Sequence, residues 1–426
     1  MTALDAASTE PHEVAGDPQS PMRIAVVIER YNPQAGGAEK STAQIVEQLV
    51  QRGHAVTLIA GACKPDHDPP GVEVRCLAYR KSSSPIRLWR FARWAKRELL
   101  LLQADASLSI TMAVPASVVQ PRGGTIRETL ERNIALRTPG WKQRKKRIEI
   151  ALDPKQRLLL RLEKRTLNDP AVHAVACVSR YVAQQLHQHY AFPADRCVVI
   201  PNASVMPAMP SKQRLQRRDE IRHVFGIAED ATVFVFAAQN PKLKGIDTLL
   251  PALRSIVDRG KVRNPVLLLA GAYDFGVQQR VAELGLRDGV RLLGQTSDMA
   301  GLFAAGDITV LPSWYDPSSK VVLESLMMGV PAITTAFNGA GDHLGPSDHD
   351  PNTPVRGRVI ADPRDAAALA AAMADLADPT EHARCVTNCA GLADQLSMAR
   401  HVDALEALLR EAAEARSNAP KRALAP

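Results

Sequence analysis

One unit recurs along this chain: a short apolar run, a turn carrying Gly or Pro, then residues that are apolar at helical spacing. The first copy is RIAVVI at 23–28, followed by a glycine-containing turn and the helical stretch EKSTAQIVEQLVQRG. HAVTLIAG, VEVRCL, ADASLSI, HAVACVS and CVVIPNAS continue the series to about residue 205. A second series holds ATVFVFAAQ, PVLLLAG, VRLLG, DITVLPS and VPAITT, each followed by a helical pattern or a loop with Gly or Pro. Strands that are apolar throughout, alternating with helices, imply parallel sheets covered on both faces. Ligands of such sheets sit beyond the C-terminal ends of the strands.

At 426 residues the chain exceeds one ordinary core, and at roughly 150 residues per domain it should hold two or three units. The divide lies at 206–230, rich in Pro, Lys, Arg and Gln, which reads as a linker and a lead-in helix. The expected plan is a disordered leader at 1–21, a first domain at 22–205 and a second at 206–390. A C-terminal helix at 391–415, free to return to the first domain, and a disordered tail at 416–426 complete it.

The leader has four acids, no basic residue and no apolar core, so it does not read as a signal peptide. No apolar run reaches the ~18 residues that span a bilayer, and a cytoplasmic location is expected. The six cysteines form no CxxC pair, and Cys385 and Cys389 lack histidines to complete a zinc site. They read as reduced, mostly buried thiols. Net charge is +8, and residues 132–165 carry twelve of the 53 Lys/Arg against three of the 45 Asp/Glu. That segment, WKQRKKRIEIALDPKQRLLLRLEKR with its flanks, is either an anionic-membrane contact or a solvated helical face with its apolar stripe in the core. It has little aromatic interleaving and no nucleic-acid motif, so nucleic acid is not expected as a partner.

Chemistry concentrates in DPSSKVVLE at 316–324. Ser318 or Ser319 is placed to cap a helix starting near Lys320, and the remaining N–H groups favour an anion such as a diphosphate. Glu324, one turn inside, could accept from a ribose diol, and Asp316 from hydroxyls of a sugar beyond the phosphates. NPKLKG at 240–245 follows the first strand of the second half. Lys242 and Lys244 could neutralise a leaving diphosphate there, with Gly245 allowing close backbone approach. In GGAEK, Gly36 and Gly37 would let backbone N–H groups approach from the opposite wall. Taken singly, each feature also reads as an ordinary loop acid, a surface lysine pair or a tight turn.

The order GGAEK, KLKG, DPSSKVVLE and GVPAITTAFNGAGDHL resembles the retaining GT-B glycosyltransferases of family four, whose mark is Glu, seven residues, Glu. Within it the chain is most similar to the lipopolysaccharide core glucosyltransferase I branch. The resemblance implies two Rossmann-like α/β domains, doubly wound and facing across a cleft. It implies that Glu324 holds the ribose, Asp316 the donor sugar, and the amides of Ser318, Ser319, Lys320 and Val321 the sugar and phosphates. Lys244 matches the diphosphate lysine, Lys242 stands in for the arginine of the missing GRL, and Leu293 and Gly294 match the stretch that reads the nucleobase. Gly36 and Gly37 match the phosphate-side loop. Two departures stand out: Asp316 replaces the longer glutamate, and the first-half loop AVPASVVQPRGG has no His or Asp, leaving Ser117, Gln120 and Arg122 on the acceptor side. The resemblance thus implies a nucleoside-diphosphate sugar donor, a UDP-sugar favoured, and a glycan or lipid-linked acceptor at the inner face of the cytoplasmic membrane. It implies no metal and no cofactor. A catalytically impaired nucleotide-sugar binder is the competing expectation.

Overall fold

The computed structural model describes residues 20–33, 37–63, 69–78, 84–207 and 209–418. It contains two all-parallel sheets. The first has strands β1 (Arg23–Tyr31), β2 (Ala55–Cys63), β3 (Glu73–Cys76), β4 (Ala106–Ser109), β5 (Val118–Val119), β6 (Ala174–Cys177) and β7 (Cys197–Val199). The second has β8 (Val233–Ala238), β9 (Val266–Gly271), β10 (Val290–Gly294), β11 (Ile308–Val310), β12 (Ala332–Thr335) and β13 (Gly357–Ile360). Their orders are β3-β2-β1-β4-β5-β6-β7 and β10-β9-β8-β11-β12-β13. Both follow the same doubly wound plan, with the switch point between β1 and β4 in one and between β8 and β11 in the other.

The strands are apolar on both sides because helices cover both faces. β9 is buried at every position, and Phe234 and Phe236 of β8 have no exposed surface. Each such side chain stabilises by roughly 1.5–3 kcal/mol relative to exposure. The helix Ile246–Arg259 packs Leu249, Leu253 and Ile256 onto this sheet. The last helix, Met398–Asn418, lies instead on the first domain, where Val402, Leu405, Leu409 and Ala412 join the core formed by β1, β2 and β4.

The linker is held by one buried cation. Arg222 of the helix Ser211–Val224, 4% exposed, donates to the carbonyls of Ala305, Glu229 and Ala231 and to Asp307 at 2.8 Å. Asp307, just ahead of β11, also accepts from the Val233 amide and from Arg218.

Three expectations need correction. Cys63 and Cys76 are joined in a disulfide, because neighbouring parallel strands bring their Cα atoms to 6.3 Å. Cys177, Cys385 and Cys389 are free and buried. Residues 416–418 belong to the last helix, not to a tail. The basic segment forms the end of the helix Ile126–Ala135 and two further helices, Trp141–Leu152 and Pro154–Leu167. The helix Pro154–Leu167 does bury an apolar stripe, Leu162 and Leu167, but the middle helix does not: Trp141, Ile148 and Leu152 are 68%, 60% and 72% exposed.

Candidate active site

The switch-point loops of the second sheet are tied to each other and to the first domain. The loop after β8 meets the loop after β11 through the Trp314 amide and the Leu243 carbonyl, 2.9 Å. From the first domain, Ser179 Oγ donates to the Pro317 carbonyl, and Asn202 Nδ2 to the Ser318 carbonyl. The Tyr315 hydroxyl donates to the Gly123 carbonyl, and Arg132 Nε to that of Trp314. The carbonyls of Trp314, Pro317 and Ser318 are therefore held by donors across the cleft. Gly245 has φ +84, and a Cβ there would collide with the Pro312 carbonyl. Its small size serves the meeting of two loops, not the close ligand approach expected from sequence.

At this junction Lys244 Nζ lies 2.6 Å from Asp316 Oδ2 and 3.2 Å from the Tyr315 carbonyl. The pair is largely shielded, with side chains 20% and 14% exposed. The other oxygen of Asp316 accepts from the Ser318 amide at 3.2 Å. The short side chain thus folds back on its own loop and onto Lys244.

The helix Lys320–Met327 follows. Ser319 is its N-cap but makes no side-chain cap hydrogen bond, and the Ser318 hydroxyl is buried without a partner. The expected hydroxyl cap is therefore absent. Asn338 Oδ1, from the loop after β12, accepts from the Ser319 amide. The amides of Lys320, Val321 and Val322 have no acceptor among the described residues.

Glu324 is not a solvated helix residue. Burial raises its pKa, and its carboxylate accepts from Ser204 Oγ at 2.5 Å, on the segment after β7. One turn back, Lys320 is pushed down to about 8, first by burial and then by Arg122, with Lys40 adding and Glu324 opposing. Arg122 donates to Gln120 Oε1 at 2.9 Å and to Asn202 Oδ1 at 2.6 Å, both neutral, and burial pushes it down to about 10. Gln120 is fully buried, and its amide nitrogen lies 3.3 Å from His401 Nε2 on the last helix. His401 Nδ1 is 2.7 Å from the Pro201 carbonyl, which can only accept. That nitrogen therefore carries the proton, and Nε2 receives from Gln120. Burial lowers His401 to about 4, so the ring stays neutral near pH 7.

A folded-state lysine that sheds its proton near 8, below the unfolded value of ~10.4, leaves the unfolded chain binding more protons between those limits. The ligand-free protein is therefore expected to gain stability as pH rises from about 8 towards 10. In Lys320→Met this component is lost. Urea midpoints of the two proteins across that range check it, and parallel curves would refute it.

Other expected site residues lie elsewhere. Ser117 precedes β5, at the N-terminal end of the strands. Its hydroxyl bonds the Ser107 amide and carbonyl at 2.8 and 2.9 Å, so it staples β4 to β5 and does not face an acceptor. Lys242 is exposed and lines a hollow with Gln239, Tyr273 and Asp274, with no bond to Asp316 or Glu324. Leu293 and Gly294 end the edge strand β10, and Gly37 begins the first helix with open space around it. Val321 packs partly buried on the second domain's core, and Gly36 lies outside the described residues. The structure also gathers Glu128, Glu131 and His189 with ligand atoms within 4.8 Å, a group capable of holding a metal that sequence spacing did not show. Glu128 is already bonded there to Tyr181 and His189. Asn202 and Ser204 were legible only as part of PNAS, and Lys40 as part of GGAEK. Nothing in the sequence marks His401.

Two Rossmann-like domains whose switch-point loops meet across one cleft, lined with cations and the half-buried Glu324 carboxylate, define a GT-B architecture. The family model described as Glycosyltransferase Family 4 matches residues 35–203, and the one described as Glycosyl transferases group 1 matches residues 217–389. The chain belongs to this family of glycosyltransferases. It is similar to the lipopolysaccharide glucosyltransferase WaaG of Escherichia coli K12, with 22% identity over 343 residues, 80% of this chain and 86% of that protein. A D-inositol 3-phosphate glycosyltransferase of Streptomyces coelicolor is 28% identical over 221 residues. That match covers 46% of this chain and about half of the relative, 48%. The crystal structure of WaaG superposes with a TM-score of 0.70 at 19% identity, covering 91% of this chain and 99% of that one. Anabaena Alr3699/HepE in complex with UDP-glucose gives 0.60 at 18%, covering 93% and 99%.

Proposed function

We propose that the chain is a retaining hexosyltransferase. It uses a nucleoside-diphosphate sugar, a UDP-sugar by preference, and a hydroxyl of a glycan or lipid-linked acceptor in envelope polysaccharide synthesis. The observation that carries this reading is the placement of Glu324. It is a half-buried carboxylate one turn inside a helix whose first amides are open, with Lys244 and Asp316 paired in the loop before it. The similarity to WaaG, and the UDP-glucose bound by the Anabaena neighbour, support the donor class.

In this reading Glu324 accepts from the ribose, Asp316 from the donor sugar, and the open amides meet the phosphates. The bond from the anomeric carbon to the diphosphate oxygen breaks as the acceptor oxygen bonds to the same face. The acceptor's proton passes to the departing phosphate oxygen. Cationic side chains and the helix N-terminus stabilise the charge that develops there, so no metal is required.

The basic helix Trp141–Leu152 supports a peripheral role. Trp141, Ile148 and Leu152 are exposed at helical spacing among Lys142, Arg144, Lys145, Lys146 and Arg147. This is the composition that dips an apolar edge into an anionic interface. No helix among the described residues is long and apolar enough to cross a membrane. The test of function is hydrolysis of UDP-, GDP-, ADP- and dTDP-sugars with and without EDTA, beside a Glu324→Ala control. Slow, EDTA-insensitive release of one nucleotide, absent from the control, is expected. Failure of the folded protein to bind any member of the panel would reject the reading.

A further inference from the structure

Three helices of the first domain and one loop of the second enclose a hollow of about 780 Å³. Arg127 and Arg132 reach it from the helix Ile126–Ala135, Arg147 from Trp141–Leu152, Arg157 from Pro154–Leu167 and Arg364 from the loop after β13. Glu131 is the one acid among the described lining residues, and Arg127 already holds it at 2.7 Å. Leu130, Ile134, Ile150 and Leu160 supply an apolar wall.

Five guanidinium groups around one hollow repel each other, and the carboxylates at hand do not balance them. The side chains of Arg147 and Arg157 have no hydrogen bond or ion pair among the described residues. Arg364 has only Asp362, at 3.8 Å. Burial lowers the pKa of Arg132 and Arg364 adds to that shift, with Tyr181 and Glu128 opposing.

The hollow is also tied to the loop that carries Asp316. Arg132 Nε donates to the Trp314 carbonyl at 3.0 Å. Arg364 lies over the Trp314 ring while its Nη2 donates to the Ala135 carbonyl at 2.7 Å, so the two domains share this corner. Trp314 stands two residues before Asp316. Gln143, Arg147, Ile150 and Ala151 line the hollow at helical spacing. The helix Trp141–Leu152 therefore turns to it the edge opposite Trp141, Ile148 and Leu152.

We propose that this hollow binds the acceptor through a phosphoryl group, with the arginines on the anion and the apolar wall against the sugar or chain that bears it. Guanidinium forks pair bidentately with phosphoryl oxygens, and several together suit a dianion better than the single charge of a carboxylate. The inference rests on the glycosyltransferase reading and names its acceptor class. The phosphoryl group is either an ester on the acceptor sugar or the diphosphate of a lipid link.

The test is calorimetric titration of the wild type, Arg364→Gln and the double variant Arg147→Gln/Arg157→Gln, each checked for folding by thermal melting. Each protein is first titrated with UDP, GDP, ADP and dTDP and kept saturated with whichever binds. The probes are then glucose 6-phosphate, farnesyl diphosphate, glucuronate and glucose. Wild-type affinity for glucose 6-phosphate about tenfold or more above that for glucose and glucuronate, falling about tenfold or more in at least one variant, supports the pocket. That result assigns it to a sugar ester. The same loss with farnesyl diphosphate and not with glucose 6-phosphate assigns it to a lipid link. If a phosphoryl probe binds through these arginines but no nucleotide binds, the pocket stands and the transferase reading falls. Smaller losses in both folded variants, glucuronate bound as tightly as the phosphoryl probes, or neither phosphoryl probe bound by the wild type would overturn the pocket. Nucleotide binding in those cases leaves the transferase reading in place.

Discussion

Lys244→Ala is expected to lower kcat by about two to three orders of magnitude, the usual cost of removing one group that stabilises transition-state charge. Two effects combine in this variant. In the proposed mechanism a cation facing the leaving diphosphate is lost, and Asp316, with a side chain only 14% exposed, is left without its 2.6 Å partner. The second effect destabilises the loop as well as the chemistry. Lys244→Ala combined with Asp316→Asn separates them, because it removes the orphaned charge without restoring the cation. The double variant should melt closer to the wild type and turn over no faster than the single one. Near-normal turnover by Lys244→Ala would remove this lysine from the reaction.

The largest loss of stability is expected at Arg222, far from the chemistry. Its guanidinium is the shared donor for three carbonyls and for Asp307, and its side chain is 5% exposed. Truncation to alanine leaves Asp307 and those carbonyls short of a partner, at a cost of about 3–5 kcal/mol for a broken buried pair. Arg218 bonds the same carboxylate but is 27% exposed, and Arg218→Ala should cost no more than about 1 kcal/mol. Equal denaturation midpoints for the two variants would contradict this ranking.

Much of the architecture was readable because parallel strands covered on both faces must be apolar along their whole length. RIAVVI, VFVFAA and VLLLAG carry that mark, and the loops that end them follow directly. DPSSKVVLE was readable for a related reason: a strand end, a polar turn and a helix start sit in one short stretch. What could not be read depends on contacts between distant segments. Gln120 and His401 are 281 residues apart, and Arg122 meets Asn202 across 80. Ser117 was misplaced because a polar loop residue does not reveal which end of a strand it borders. The serine cap is absent although Ser319 does stand at the N-cap, because residue type and position do not fix which way the hydroxyl turns. The Cys63–Cys76 pair needed strand order, which spacing along the chain does not supply.

The last helix has a consequence for how the protein is made. Val402, Leu405, Leu409 and Ala412 are part of the core under β1, β2 and β4. On the ribosome the first domain emerges first yet lacks one wall until the helix Met398–Asn418 follows, whereas residues 211–396 precede that helix and have a core of their own. The domain synthesised second is therefore the first able to finish folding. The first domain waits, with apolar surface open, for the helix Met398–Asn418. Loss of that helix, by a stop codon or a protease, would strike the opposite end of the sequence.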